Sequence, residues 1–143
     1  MQSAVKDMLT GSFQYHGVIS PESFKRDRDA FVKLGVVRAA DINKLPGIQK
    51  AGRELLVKSL IYHNTISPET FGRERDAFVA LGIFDVRTIS AWPEVQQSVK
   101  KMLISSRNYH GTISPESYAR ERDQFIKLGL ADLQTVNSWP EMT

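Results

Sequence analysis

"YHGVISPESFKRDRDAFVKLG" runs from Tyr15 to Gly35. "YHNTISPETFGRERDAFVALG" runs from Tyr62 to Gly82, and "YHGTISPESYARERDQFIKLG" from Tyr109 to Gly129. The step between copies is 47 residues both times, and 12 positions are identical in all three. In the first copy these are Tyr15, His16, Ile19, Ser20, Pro21, Glu22, Arg26, Arg28, Asp29, Phe31, Leu34 and Gly35. The likeness extends outward. Leu45, Trp92 and Trp139 each precede a proline at the same step, and "AVKDML" from Ala4 matches "SVKKML" from Ser98. A fixed step of this size is the signature of stacked repeats, in which one supersecondary unit covers the apolar face of the next. The chain therefore reads as a single helical-repeat domain over 1–143, with unit boundaries near 1–45, 46–92 and 93–139.

Each unit predicts three helices. The first spans roughly Pro46 to His63 in the middle copy, where Ile48, Ala51, Leu55, Leu56 and Tyr62 recur at helical spacing on an apolar face. Proline suits its first turn, and Gly17, Asn64 or Gly111 closes it with a left-handed residue. The second helix starts at "ISPE". Ser20, Ser67 and Ser114 are expected to cap it by accepting a bond from a free N–H, with proline at the first helical position and Glu22 at the positive end of the dipole. Ile19 and Phe24, Ile66 and Phe71, and Ile113 and Tyr118 have the spacing of a hydrophobic staple. Gly35, Gly82 or Gly129 ends this helix, and a short third helix follows, as in "AADINKL" or "DVRTISAW". The fold class is all-α: an α-solenoid of three tandem 47-residue units, each a long helix, a second long helix and a short third one.

Composition narrows the function classes. Hydrophobic residues make up 41% and charged residues 24%, as in soluble globular proteins, and no window approaches a membrane span. With no cysteine, disulfides, thiolate catalysis and Cys-based zinc sites are excluded. The cytoplasm is favoured on that ground, with localisation otherwise open. No Gly-rich phosphate loop, HExxH, GxSxG or paired-acid arrangement occurs, so the chain reads as noncatalytic and without a cofactor. The histidines are His16, His63 and His110, all at one repeat position. Successive repeats hold such residues about one helix diameter apart, so they read as helix C-terminal donors rather than metal ligands.

Arginine placement is more informative. On the second helix Arg28 falls about 40° from Phe24, inside the apolar arc, as do Arg75 and Arg122 in their copies. Arginines so placed are expected to be structural, bonding helix C-terminal carbonyls or a carboxylate of the adjacent repeat. A groove that binds an anion is the alternative. Arg26, Arg73 and Arg120 lie on the opposite side, where Arg26 is expected to pair with Asp29. They are candidate binding residues together with Lys6, Arg53 and Lys100, the one basic column of the first helices. Nucleic acid is a weaker prospect. The second helices carry net charges of +1, −1 and 0, so no dense phosphate-binding stripe exists, and the aromatic residues are assigned to core or staple positions, Trp92 and Trp139 included. Val5, Met8 and Leu9 on the first helix, and Trp139 and Met142 in the last unit, are expected to lack cover and to support head-to-tail self-association.

The unit is similar in its logic to the HEAT, armadillo and tetratricopeptide arrays, but it lacks their signature patterns. The spacing of Leu34, Gly35, Asp41, Ile42 and Pro46 is similar to that of mitochondrial transcription terminator repeats, which are helical and bind DNA. That likeness spans a few residues per unit, and no functional residue is carried across. The expected function is a helical-repeat scaffold that binds a protein or peptide. A helical-repeat nucleic-acid binder or a segment of a longer self-stacking array is the alternative.

Overall fold

The computed structural model describes residues 2–142. Every regular element among them is helical: α1 (Gln2–His16), α2 (Pro21–Lys33), α3 (Ala39–Asn43), α4 (Pro46–His63), α5 (Pro68–Ala80), α6 (Val86–Ala91), α7 (Pro93–His110), α8 (Pro115–Lys127), α9 (Leu133–Ser138) and a closing 3₁₀ turn, Pro140–Met142. Among the described residues no helix is long and apolar enough to cross a membrane. Long helix, long helix, short helix recurs three times. Each α1-type helix ends where the sequence requires, at a left-handed residue: Gly17 at φ 53°, Asn64 at 56° and Gly111 at 52°. Each of these donates its N–H four residues back, to Phe13, Leu60 and Arg107 respectively. Asn64 tolerates a conformation that otherwise favours glycine, and its Oδ1 accepts from the next N–H at 2.7 Å.

Contacts divide the chain into two compact units. The first contains α1–α3, α4 as far as Leu56, and Glu74–Asp85. Its centre is aromatic. Phe13 meets Phe24 edge-on with centroids 5.0 Å apart and Phe78 at 5.1 Å. All three are fully buried, together with Leu9, Ile42, Ile48 and Leu56. Burying each such side chain contributes roughly 1.5–3 kcal/mol. Ser12 Oγ donates to Asp27 Oδ2 at 2.8 Å, tying α1 to α2. Gln49, near the start of α4, donates to the carbonyls of Asn43 and Ile83 at 2.7 and 3.0 Å.

The same unit shows how one copy touches the next. Arg28 is buried beside the Phe24 ring, with its guanidinium carbon 5.8 Å from the ring centroid. Its Nη1 donates to Asn43 Oδ1 at 2.9 Å and to the carbonyl of Leu81 at 2.8 Å. Asn43 Nδ2 donates to that same carbonyl at 2.9 Å. Leu81 follows the last residue of α5, so its carbonyl has no partner within the helix, and residues of the first copy supply two donors to it. The carboxylate that Arg28 meets belongs to its own helix, with Nε 3.1 Å from Asp29 Oδ1. Asp29 also accepts from Lys25 at 2.9 Å, and these two cations hold its carboxyl below the usual range. The expected Arg26–Asp29 pair is therefore absent. Lys25, four residues from Asp29, reaches it better, and Arg26 stays exposed.

The second unit contains Val57–Arg73 and the chain from Val86 onward. Leu60, Phe71, Ile89, Val95, Leu103, Phe125 and Val136 are fully buried, and Trp92 is buried as expected. Ser106 Oγ donates to Glu121 Oε1, repeating for α7 and α8 the tie between α1 and α2. Leu128, which follows α8 as Leu81 follows α5, lies on Gly72, where a Cβ would stand 2.6 Å from its Cδ2. Trp139 departs from its core assignment. It is half-buried, with Lys100 Nζ 5.5 Å from its ring centroid. Val5 and Leu9, expected to lack cover, are buried on the α1 face that holds Phe13, and only Met8 of that trio is exposed.

Two substitutions test this packing. Arg28→Ala leaves the Leu81 carbonyl and Asn43 short of donors and should destabilise by about 1–3 kcal/mol, whereas exposed Arg26→Ala should stay within about 0.5 kcal/mol. Gly52 is in contact with buried rings, since a Cβ there would stand 2.7 Å from Phe84 Cε2 and 3.4 Å from Phe13 Cζ. Gly52→Ala should therefore destabilise by about 1–2 kcal/mol, because overpacking outweighs the gain in helix propensity. Urea midpoints measure both. In a Phe84→Leu background the Gly52→Ala penalty should vanish.

Candidate functional site

The recurrent corner between the two long helices is built from His16 and Ser20, His63 and Ser67, and His110 and Ser114. Each histidine Nδ1 lies 3.0–3.1 Å from the serine Oγ four residues on. Ser20 and Ser114 are not side-chain caps. Neither Ser20 nor Ser114 makes a cap bond, because each hydroxyl turns back to the preceding helix. The N–H groups of Ser23, Thr70 and Ser117 bond instead to the carbonyls of Ser20, Ser67 and Ser114 at 3.0 Å.

The far side of the ring meets a carboxylate. His110 Nε2 is 3.2 Å from Glu121 Oε2, and His16 Nε2 is 4.0 Å from Asp27 Oδ2. An ionised carboxylate only accepts, so in the neutral ring Nε2 of His110 carries the proton and Nδ1 accepts from Ser114. Serine, histidine and carboxylate in this order form the arrangement that activates a hydroxyl in hydrolases. Here the carboxylate also holds a second serine, Ser12 or Ser106, on the preceding helix. Every member thus fastens one helix to the next.

This brace determines what faces outward. Tyr15, Tyr62 and Tyr109 stand edge-on to the neighbouring histidines with centroids 5.1–5.2 Å apart, and they are 83–85% exposed. Ile19, Ile66 and Ile113 are 89–93% exposed. The expected staples therefore do not form. Phe24 and Phe71 point into the core while the isoleucines before the caps point to solvent. Tyr62 likewise leaves the apolar face assigned to it. Single exposed apolar side chains are ordinary. Six at two repeat positions are not, because close neighbours in the chain do vary: Gly17, Asn64 and Gly111, or Val18, Thr65 and Thr112. The missed signal was identity in all three copies at positions that neither helix spacing nor capping requires.

The candidate cations differ in their surroundings. Arg26, Arg73 and Arg120 are exposed, Arg73 reaching Thr70 Oγ1 at 3.4 Å. Arg75 is buried with Nε 3.1 Å from Asp76 Oδ1. Arg122 is half-buried, 3.0 Å from Asp123 Oδ1 and over the Tyr118 ring at 5.8 Å. Lys100 engages Trp139 and lies 3.8 Å from Glu141 Oε2. It lines a cavity of about 300 Å³ with Gln96, Leu130, Asp132, Thr135 and Trp139. Lys6 lines one of about 390 Å³ with Gln2, Val36, Val37, Arg38 and Asp41. These are corresponding places in the third and first copies. At the same step in the middle copy stand Arg53, which has a bonded or charged contact of its own, and the buried Phe84. Met142 is half-buried and accepts from the Tyr118 hydroxyl at 3.6 Å. No family model, curated protein or solved structure matches the chain.

The histidine–serine pair is separable from a capping role. Ser67→Ala should cost about 1 kcal/mol in the wild-type chain and close to nothing in a His63→Ala background, since the bond it loses is the one to the ring. A double-mutant cycle by urea denaturation reads the coupling. Equal losses in both backgrounds would restore the cap assignment.

Proposed function

We propose that the chain is a noncatalytic helical-repeat module, an α-solenoid of three 47-residue units, that binds a protein or peptide through its Tyr–Ile corners. The observation that carries this reading is the exposure of Tyr15, Ile19, Tyr62, Ile66, Tyr109 and Ile113, identical in type in every copy. A buried isoleucine contributes roughly 1.5–3 kcal/mol to folding, and these three forgo it. Tyrosine brings large apolar area and a hydroxyl at low entropic cost, which suits an interface anchor. Each ring stands edge-on to a histidine that is itself held by serine, a contact that favours one orientation of the ring. Bonds from Arg28 and Asn43 to Leu81, and the seating of Leu128 on Gly72, support the stacking of consecutive units.

A second reading is that the same exposed tyrosines stack the bases of a single-stranded nucleic acid while Arg26, Arg73 and Arg120 meet phosphates. Protein binding is favoured, because isoleucine beside each tyrosine adds nothing to phosphate recognition.

Replacing the three tyrosines by serine should leave the denaturation midpoint nearly unchanged, since exposed side chains contribute little to stability. Truncation of one anchor, Tyr62→Ala, should weaken a protein partner by about 2 kcal/mol, roughly 30-fold. Affinity capture with wild-type and triple-serine chains, followed by titration of the enriched partner, measures this. Recovery of the same partners at the same strength by both chains would reject the reading. Retention on single-stranded DNA with a steep salt slope that vanishes in the triple variant would favour the second one.

A further inference from the structure

The junction between copies has two halves, and among the described residues both occur again outside such a junction. Within the first unit the donor half is Arg28 with Asn43, and the acceptor half is the carbonyl of Leu81. Gly82 completes it, since a Cβ there would stand 3.0 Å from Asn43 Nδ2. Within the second unit the apolar component is visible, with Leu128 seated on Gly72.

The acceptor half recurs in the first copy as Leu34 and Gly35. Leu34 is 74% exposed where Leu81 is 5% exposed, and open space surrounds the Cβ position of Gly35. The donor half recurs in the third copy as Arg122 and Asn137, the same residue types as Arg28 and Asn43. Among the described residues Arg122 bonds only to Asp123, through Nε, and Asn137 is exposed. The seat recurs too. Ala119 takes the place of Gly72 in a shallow, open hollow with Glu116, Arg120, Asp123, Gln124 and Lys127, and its Cβ stands where one on Gly72 would come 2.6 Å from the leucine Cδ2, so a leucine seated here turns its flexible end aside.

We propose that a second copy of this chain docks here, its Leu34 seated on Ala119 and its Leu34 carbonyl receiving Arg122 and Asn137. The occupant follows from the chain's own chemistry: the donors and the acceptor repeat those that join the first copy to the middle one, where Lys25 holds the seat position, and the small residue under the leucine repeats Gly72 under Leu128. The contact is heterologous, with different surfaces on the two partners, so it propagates head to tail rather than closing as a dimer. It rests on Leu34, Ala119, Arg122 and Asn137, not on the Tyr–Ile corners, so either proposal stands if the other fails.

Light scattering across a concentration series tests it with the wild-type chain, Leu34→Asp and Ala119→Glu. Both substitutions lie on accessible surface, and circular dichroism checks that each variant folds. The milder Leu34→Ser and Ala119→Gln repeat the test if either variant is unfolded. The wild-type mass should rise with concentration above the 16.1 kDa of one chain and pass the dimer. Each variant alone should remain at the single-chain mass. An equimolar mixture of the two should give a one-to-one pair and nothing larger, because the intact leucine of one meets the intact hollow of the other. A wild-type mass that stays at one chain overturns the proposal. So do variants that associate as the wild type does, or a mixture that stays monomeric.

Discussion

A buried guanidinium must find acceptors, and a helix C-terminus presents carbonyls that have lost their donors. Arg28 and Leu81 solve both problems with one contact. The consequences spread through the neighbouring residues. Asn43 accepts from Arg28 and donates to the same carbonyl, so both lone pairs of that oxygen are used. Gly82 must lack a Cβ because Asn43 comes so close, and it must also take a positive φ, here 83°, to end the helix. Leu81 is buried because the junction closes over it. The presence of Arg28, Leu81 and Gly82 at their places is therefore one interaction seen from several sides.

The corner obeys a different constraint. A chain that reverses between two long helices leaves both ends to be held, and a hydroxyl can serve only a few partners at once. Ser20 and Ser114 face histidine rather than the following N–H groups, which are satisfied by backbone carbonyls. His110 in turn bonds to Glu121 of the second helix, and His16 approaches Asp27 to 4.0 Å. With the corner braced by polar groups, the isoleucine before each serine is not needed as a staple. It stands outside beside tyrosine, and that displacement produces the candidate surface.

Copies differ where bulk is exchanged. The places held by Val5 and Val37 in the first copy, and by Val99 and Ala131 in the third, are held by Gly52 and Phe84 in the middle one. The ring of Phe84 fills the space that glycine vacates, and packing density is kept. Exchange is less complete elsewhere. Ser90 stands where the first copy has Asn43, and its Oγ is buried without a hydrogen-bond partner among the described residues.

Much of the architecture was legible in the residues alone, because it depends on local chemistry. Helical periodicity, proline at first turns and glycine or asparagine past last turns act within a few residues of themselves, so the helices fall where those signals lie. The place of Arg28 on the apolar arc was legible for the same reason. Its partner was not, since Leu81 is 53 positions away and only folding brings it near. The places taken by Ser20, Ser114, the isoleucines and the tyrosines were not legible for a related reason. A cap, a staple and an apolar face are each one of several places such a side chain can satisfy itself, and the choice depends on competitors from other helices. Asp27, Glu121, Ser12 and Ser106 are those competitors. Only the tertiary structure brings them to the corner, and with them in place the histidines turn inward and the tyrosines and isoleucines remain in solvent.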